Sequence, residues 1–269
     1  MRWDIVFDAL RAFVLRAGTT VGGLGAFLVA GMLIAVGAIL LFGQVAQYVM
    51  SGKTQAFDDA VLKWMAANQS PLADAAMLEV TALGTGVVVL TIVGVSSLFL
   101  MLTRHKYSAL LLLVATAGGL LLNTALKQFF DRPRPQLFEW GTHAATSSFP
   151  SGHAMSATIV YSTVAYLAAR LYKRVWPRWI TMIIALTIIA LICASRMYLG
   201  VHYPSDVLAG ATIGLGWAAF CMATLEAIQR FSLRSRPEIT KDEIPPPDVA
   251  QAEVTLPVAS GGTPTRPTT

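Results

Sequence analysis

The sequence predicts an all-α integral membrane protein: a bundle of six transmembrane helices, with an N-terminal and a periplasmic interfacial helix beside it. Three observations predict this. Of 269 residues, 55% are hydrophobic and 13% charged, where an ordinary globular domain carries about 25% charged residues. The apolar residues gather in runs long enough to cross a hydrocarbon core of ~30 Å. The basic residues fall in the loops between those runs, biased to one side, as membrane topology requires. The net charge of +5 is modest, and its placement points to topology rather than to nucleic acid.

Residues 1–16 put Trp3, Val6, Phe7, Leu10, Phe13 and Val14 at helical spacing, with Arg2, Asp4, Asp8, Arg11 and Arg16 elsewhere on the wheel. That pattern predicts an amphipathic helix over residues 1–20, suited to a membrane surface. The apolar run that follows is too long for a signal-peptide core, so an uncleaved first span is expected over about Val21–Gly43. In the next loop Phe57, Val61, Trp64 and Met65 form a stripe, with Asp58, Asp59 and Lys63 off it. The expectation is a short helix lying in the outer interface, either guiding a lipid or anchoring the fold.

The second span is Val80–Thr103, between Glu79 and Arg104; the third is Tyr107–Leu126, between Lys106 and Lys127. A fourth begins at Ser151 and runs to about Ala169, a fifth covers Trp179–Ala194, and a sixth covers about Pro204–Ile228. The six-span domain therefore occupies residues 21–231. Residues 232–269 hold seven of the thirteen prolines and read as a disordered cytoplasmic tail. Cys193 and Cys221 fall inside apolar runs and read as small packing residues.

Orientation follows from the cations. One set of segments holds Arg2, Arg11 and Arg16, then Arg104 and Lys106, then Arg170, Lys173, Arg174 and Arg178, then Arg230, Arg234, Arg236 and Lys241. The opposite set holds Lys53 and Lys63, plus Lys127, Arg132, Arg134 and Arg196. The positive-inside bias puts both termini in the cytoplasm. Three polar patches then share the outer face: Lys127 to Pro135, Pro150-Ser151-Gly152-His153, and Ser195-Arg196 to Asp206.

Polar and ionisable groups at membrane depth are costly, so a functional reading is the default for them. In the last patch, Pro204 suits the first turn of a helix, which lets Asp206 reach back to His202. A carboxylate on one ring nitrogen fixes the tautomer and leaves the other nitrogen's lone pair free to attack. Arg196 offers a planar fork for phosphate oxygens. Ser151 is a good N-cap and Gly152 allows close backbone approach; such a helix start is an anion site. His153, in its first turn, is placed to protonate a leaving oxygen. Lys127 and Arg134, with Arg132 as a further candidate, add charge where a phosphoryl group would sit. Singly, a histidine at a helix end is more often structural, and an arginine near a span end usually snorkels. Jointly, the polar positions converge on one face with complementary roles. Cations crowd the patches and only Asp206 stands firmly among them, so no metal and no cofactor is expected. His105 reads as an inner loop residue and His143 as a solvated outer one.

At these residues the chain resembles the type-2 phosphatidic acid phosphatase superfamily of membrane lipid phosphatases. That pattern is Lys, six residues, Arg-Pro; then Pro-Ser-Gly-His; then Ser-Arg, five residues, His, three residues, Asp. All three segments match in order, and the resemblance covers about Val21 to Gln229. It implies metal-independent hydrolysis of a lipid phosphate or diphosphate at the outer face of a bacterial inner membrane. By position, His202 is the nucleophile that becomes a phosphohistidine, Asp206 orients it, and His153 is the general acid. Lys127, Arg134, Ser151, Gly152 and Arg196 bind the phosphoryl group. The implied partners are the bilayer and a lipid phosphate such as undecaprenyl diphosphate, phosphatidylglycerol phosphate or phosphatidic acid, with no nucleic acid and no obligate protein partner. Two rivals stand beside this reading: a lipid phosphotransferase, and a carrier that binds anionic lipids without cleaving them. A carrier has no need of a nucleophile.

Overall fold

A computed structural model describes residues 23–142, 146–172 and 174–234. The N-terminal helix expected over residues 1–20, His143, Lys173 and nearly all of the tail lie outside them. Among the described residues every regular element is an α-helix: α1 Gly23–Met50, α2 Gln55–Ala67, α3 Pro71–Ala82, α4 Gly86–Leu102, α5 Lys106–Phe130, α6 Gly152–Leu171, α7 Val175–Tyr198 and α8 Pro204–Arg234. The main compact unit ends at Gln229; the second, from Arg230, contributes only the end of α8 to the described residues.

Local chemistry sets the boundaries. Ser70 caps α3 by accepting from the Ala73 amide at 3.3 Å, with Pro71 at the first position, where its missing N–H is no loss. At the other end α5 closes on Asp131 in the left-handed region, and Pro133 and Pro135 forbid its continuation. Ser151 caps α6 as expected, accepting from the Ala154 amide at 3.5 Å. Gly200, at φ 72°, makes the turn out of α7 that a side chain would oppose, and Pro204 opens α8.

Four of these helices are long and apolar enough to cross a membrane, and a fifth crossing is available if α3 and α4 act as one span bent by 44°. The stretch expected as the second span, Val80–Thr103, is thus not one helix: α3 begins earlier, at Pro71, and the chain breaks at Leu83-Gly84-Thr85 before α4. Helix α6 has the length, at 20 residues, but not the apolarity. It does not need it, because it sits inside the bundle. Ala154, Met155, Ala157, Thr158, Ile159, Val160 and Thr163 are all buried, so its threonines face protein rather than lipid. By contrast α1, α4 and α7 expose rows of Leu, Ile, Val and Met side chains, the surface a hydrocarbon solvent accepts.

Small residues bring α8 against α6. A methyl group at Gly210 would lie 2.4 Å from the Ser151 carbonyl oxygen, and one at Gly214 would lie 2.8 Å from that of Met155. This is the small-xxx-small contact of membrane helices. Below the start of α6, Phe149 is fully buried between Phe42 and Phe130, with ring centroids 5.8 Å and 5.0 Å away.

Helix α2 forms where the stripe predicts, but the stripe is divided. Leu62 and Asp58 are fully buried, Val61 and Met65 are half-buried, and Phe57 and Trp64 are exposed. Asp58, expected on the polar face, points inward because partners wait for it there.

Candidate active site

The chain order brings four helix ends to one place: the end of α5, the start of α6, the end of α7 and the start of α8. Loop hydrogen bonds lock them. The Ser148 amide donates to the Arg132 carbonyl at 2.8 Å and the Ser147 hydroxyl to the Lys127 carbonyl at 3.0 Å, fastening the first patch to the second. The Ser151 amide donates to the Asp206 carbonyl at 3.0 Å, fastening the second to the third.

Within this frame lies a cavity of about 510 Å³. Lys127, Arg134, Gly152, His153, Arg196 and His202 all line it, so six of the eight residues singled out from sequence share one wall. Ser151 and Asp206 do not. Ser151 is fully buried with its hydroxyl committed to the cap, and Asp206 lies fully buried behind His202. Arg132, the further candidate cation, is turned away from the cavity toward Asp206 and Asp58.

The cations are held as tools rather than left loose. Lys127 Nζ donates to the Ser147 carbonyl at 2.5 Å and to the Thr146 hydroxyl at 3.1 Å. Arg134 donates from Nε to the Thr146 carbonyl and from Nη1 to the Val201 carbonyl, both at 2.7 Å. Arg196 donates from Nη1 to the Thr81 hydroxyl at 2.8 Å, while its Nε is buried without a partner. An unpaired donor in a buried guanidinium is costly, and a phosphate oxygen is the kind of acceptor that would relieve it.

Arg134 also fixes the state of His202. Its Nη1 lies 3.3 Å from His202 Nε2. A guanidinium only donates, so Nε2 is the acceptor and the ring proton sits on Nδ1. Nδ1 faces Asp206 Oδ2 at 3.6 Å, too long for a formed hydrogen bond but the correct pairing for one that tightens. Burial pushes His202 down to about 4; Asp206 opposes the shift, while Arg134 and Arg196 add to it. The imidazole is therefore neutral at pH 7, with Nε2 unprotonated and its lone pair accepting from Arg134. His153 presents its ring to the same cavity and rests on Gly84, where a methyl group would lie 3.0 Å from its Cδ2.

Several neighbours were not singled out from sequence. Asn123 lines the cavity, donates to the Met155 sulfur at 3.5 Å and stands against Gly152. A polar residue four before Lys127 in an apolar run was a readable signal. Thr81, Thr146 and Ser147, which anchor the cations, had none. Thr124, Gln128 and Asp131 complete the α5 side of the wall.

Fold and site define a multi-pass membrane protein with a cation-lined pocket at one end of its helical bundle. The model of the PAP2 superfamily matches residues 108–230. Phosphatidylglycerophosphatase B of Bacillus subtilis (strain 168) is 32% identical over 197 residues, covering 73% of this chain and 97% of that protein. The chain belongs to the PAP2 superfamily and is a lipid phosphatase. A crystal structure of a transmembrane PAP2-type phosphatidylglycerolphosphate phosphatase from Bacillus subtilis superposes with a TM-score of 0.70 at 31% identity, covering 74% of this chain and 100% of that one. An undecaprenyl-diphosphatase of Sulfolobus acidocaldarius is 26% identical over 140 residues, 50% of this chain and 63% of that protein.

Proposed function

We propose that the protein hydrolyses phosphate from membrane lipid phosphates and diphosphates, without a metal ion, through a phosphohistidine on His202. The observation that carries this is the state of His202: a neutral ring, Nε2 unprotonated beside Arg134 on the cavity wall, and Asp206 behind Nδ1. In the first step Nε2 attacks phosphorus, the bond from phosphorus to the leaving oxygen breaks, and His153 gives that oxygen its proton. In the second, His153 takes a proton from water, the water oxygen bonds to phosphorus, and the phosphorus–nitrogen bond breaks to release inorganic phosphate. Lys127, Arg134 and Arg196 hold the phosphoryl oxygens, helped by the start of α6 at Ser151 and Gly152.

Phosphatidylglycerol phosphate and undecaprenyl diphosphate rank first as substrates, because the named relatives act on these two classes. Phosphatidic acid follows, since the pocket grips phosphate while a lipid tail meets only apolar surface. The reading extends to six spans with α6 as the fourth, both termini cytoplasmic, and the site facing the periplasm of a bacterial inner membrane.

The test is phosphate release from these three lipids by purified protein in detergent with EDTA, with His202→Ala alongside. Turnover that persists in EDTA, vanishes in His202→Ala and passes through an acid-labile phosphoenzyme is expected. Strict dependence on a divalent ion, or appreciable activity in His202→Ala, would overturn the mechanism.

A further inference from the structure

A buried charge cluster lies behind the catalytic pair rather than in the cavity. Arg132 Nη1 donates to Asp206 Oδ1 at 2.6 Å and to the Ser205 hydroxyl at 2.8 Å. Its Nη2 donates to Asp58 Oδ2 at 3.0 Å and to Gln55 Oε1 at 3.3 Å. The guanidinium lies over the Tyr203 ring, 4.1 Å from its centroid. Asp58 is fully buried, and it also accepts from the Ser205 amide at 3.0 Å and from the Ser205 hydroxyl at 2.6 Å. One guanidinium thus bridges two buried carboxylates, one of which faces His202.

A buried ion triad is weak evidence for stability, because desolvation cancels much of the attraction. What it supplies here is geometry. Asp206 has two oxygens. Oδ1 is taken by Arg132, and Oδ2 accepts from the Tyr203 amide at 2.9 Å and faces His202 Nδ1. The carboxylate plane is fixed by these bonds. Arg132 is fixed in turn by Asp58, which also divides its charge. Without Asp58, the full guanidinium would bear on Asp206 and weaken it as an acceptor for His202.

We propose that Asp58 and Arg132 are positioning residues for the reaction: through Asp206 they set the orientation and basicity of His202, and so connect helix α2 to the nucleophile. This rests on the reading of His202 as nucleophile. Neither residue touches the cavity, so neither contributes to phosphate binding. The other charged or titratable groups that share the cavity with His202 are Arg134 from the loop after α5, Arg196 from α7, His153 from α6, and Lys127 and Asp131 from the end of α5.

The experiment uses the full chain in detergent and phosphate release from phosphatidylglycerol phosphate, comparing Asp58→Asn, Arg132→Gln and the double variant. Each is expected to lower kcat by roughly 10- to 100-fold, the usual cost of losing an outer-shell partner, with KM nearly unchanged. The acid limb of kcat/KM should move in opposite directions. Asp58→Asn leaves Arg132 unshared and lowers the basicity of His202, moving the limb down. Arg132→Gln leaves Asp206 unshared and moves it up. A purely structural role would not reverse sign. Should a single variant fail to fold because it changes the charge of the buried cluster, the double variant removes one charge of each sign, leaves the cluster's net charge as it was, with Asp206 still held by the Tyr203 amide, and decides the matter by its kcat. Native turnover in the double variant, with His202→Ala inactive, would overturn this inference alone; activity in His202→Ala would overturn the reading beneath it.

Discussion

Gly210→Ala probes how tightly the site depends on helix packing. The added Cβ would fall 2.4 Å from the Ser151 carbonyl oxygen and 3.3 Å from the Ala154 Cβ. Ordinary contact begins at 3.4 Å, so α8 and the start of α6 must part by about 1 Å. Neither side can yield by a rotamer change, because the nearer atom is backbone. Overpacking of this kind costs ~1–3 kcal/mol. The kinetic effect is of similar size in free energy, about 2.7 kcal/mol for a hundredfold loss. The displaced segment carries Ser151, Gly152 and His153, and the bond between the Ser151 amide and the Asp206 carbonyl spans the seam that opens. A misplacement of ~1 Å costs on the order of 10²-fold in rate. The assay is kcat/KM for phosphate release, with a thermal melt in the same detergent. Gly37→Ala is the control, since that position meets nothing within 4 Å; alanine there should be neutral or, by ~0.5–1 kcal/mol, stabilising. Native Tm and native kcat/KM in Gly210→Ala would refute the claim that the α6–α8 contact is rigid and sets the site.

Three further outcomes are expected. Gly84→Ala places a methyl group 2.8 Å from Ile192 Cγ2 and 3.0 Å from His153 Cδ2; displacing His153 should slow alkyl phosphates more than substrates with good leaving groups, and an equal loss on both would argue against His153 as the acid. Because His202 is held near 4 by burial, the acid limb of kcat/KM should lie below the free-imidazole value of about 6.5, and a limb at or above that value would contradict the buried neutral ring. Stability carries the same sign, since the unfolded chain binds the extra proton between about 6.5 and 4 and the fold weakens as pH falls through that window. Phe149→Ala should cost ~3–5 kcal/mol, read as a fall in Tm, because the fully buried ring fills the space between Phe42 and Phe130.

The site is more legible in the sequence than the helices that carry it. Lys127, Arg134, His153, Arg196 and His202 stand out because polar groups at the ends of apolar runs are costly unless they have work to do, and one cavity gathers them. The helix expected from Ser151 to about Ala169 is readable nearly to its ends because Ser151 marks its start chemically. The bend between α3 and α4 does not show in hydropathy, which runs on from Glu79 without a break. Its signs are Gly84 and Gly86 at the joint, and Pro71 with the Ser70 cap opening the element earlier. The burial of Asp58 and the true direction of Arg132 are beyond the reach of sequence, since each is decided by partners more than seventy residues away. Gly210 and Gly214, four apart, are a readable small-xxx-small pair; hydropathy alone does not separate them from the rest of an apolar span.

The polarity of α6 has a consequence for what the bundle can lose. Among Ser156, Thr158, Ser162 and Thr163, Thr158 and Ser162 turn their hydroxyls onto carbonyls of the helix itself, while Thr158 and Thr163 are buried by neighbouring helices. Gly210 and Gly214 are part of that cover, so a chain ending before them would uncover the stretch that opens with Ser151, Gly152 and His153.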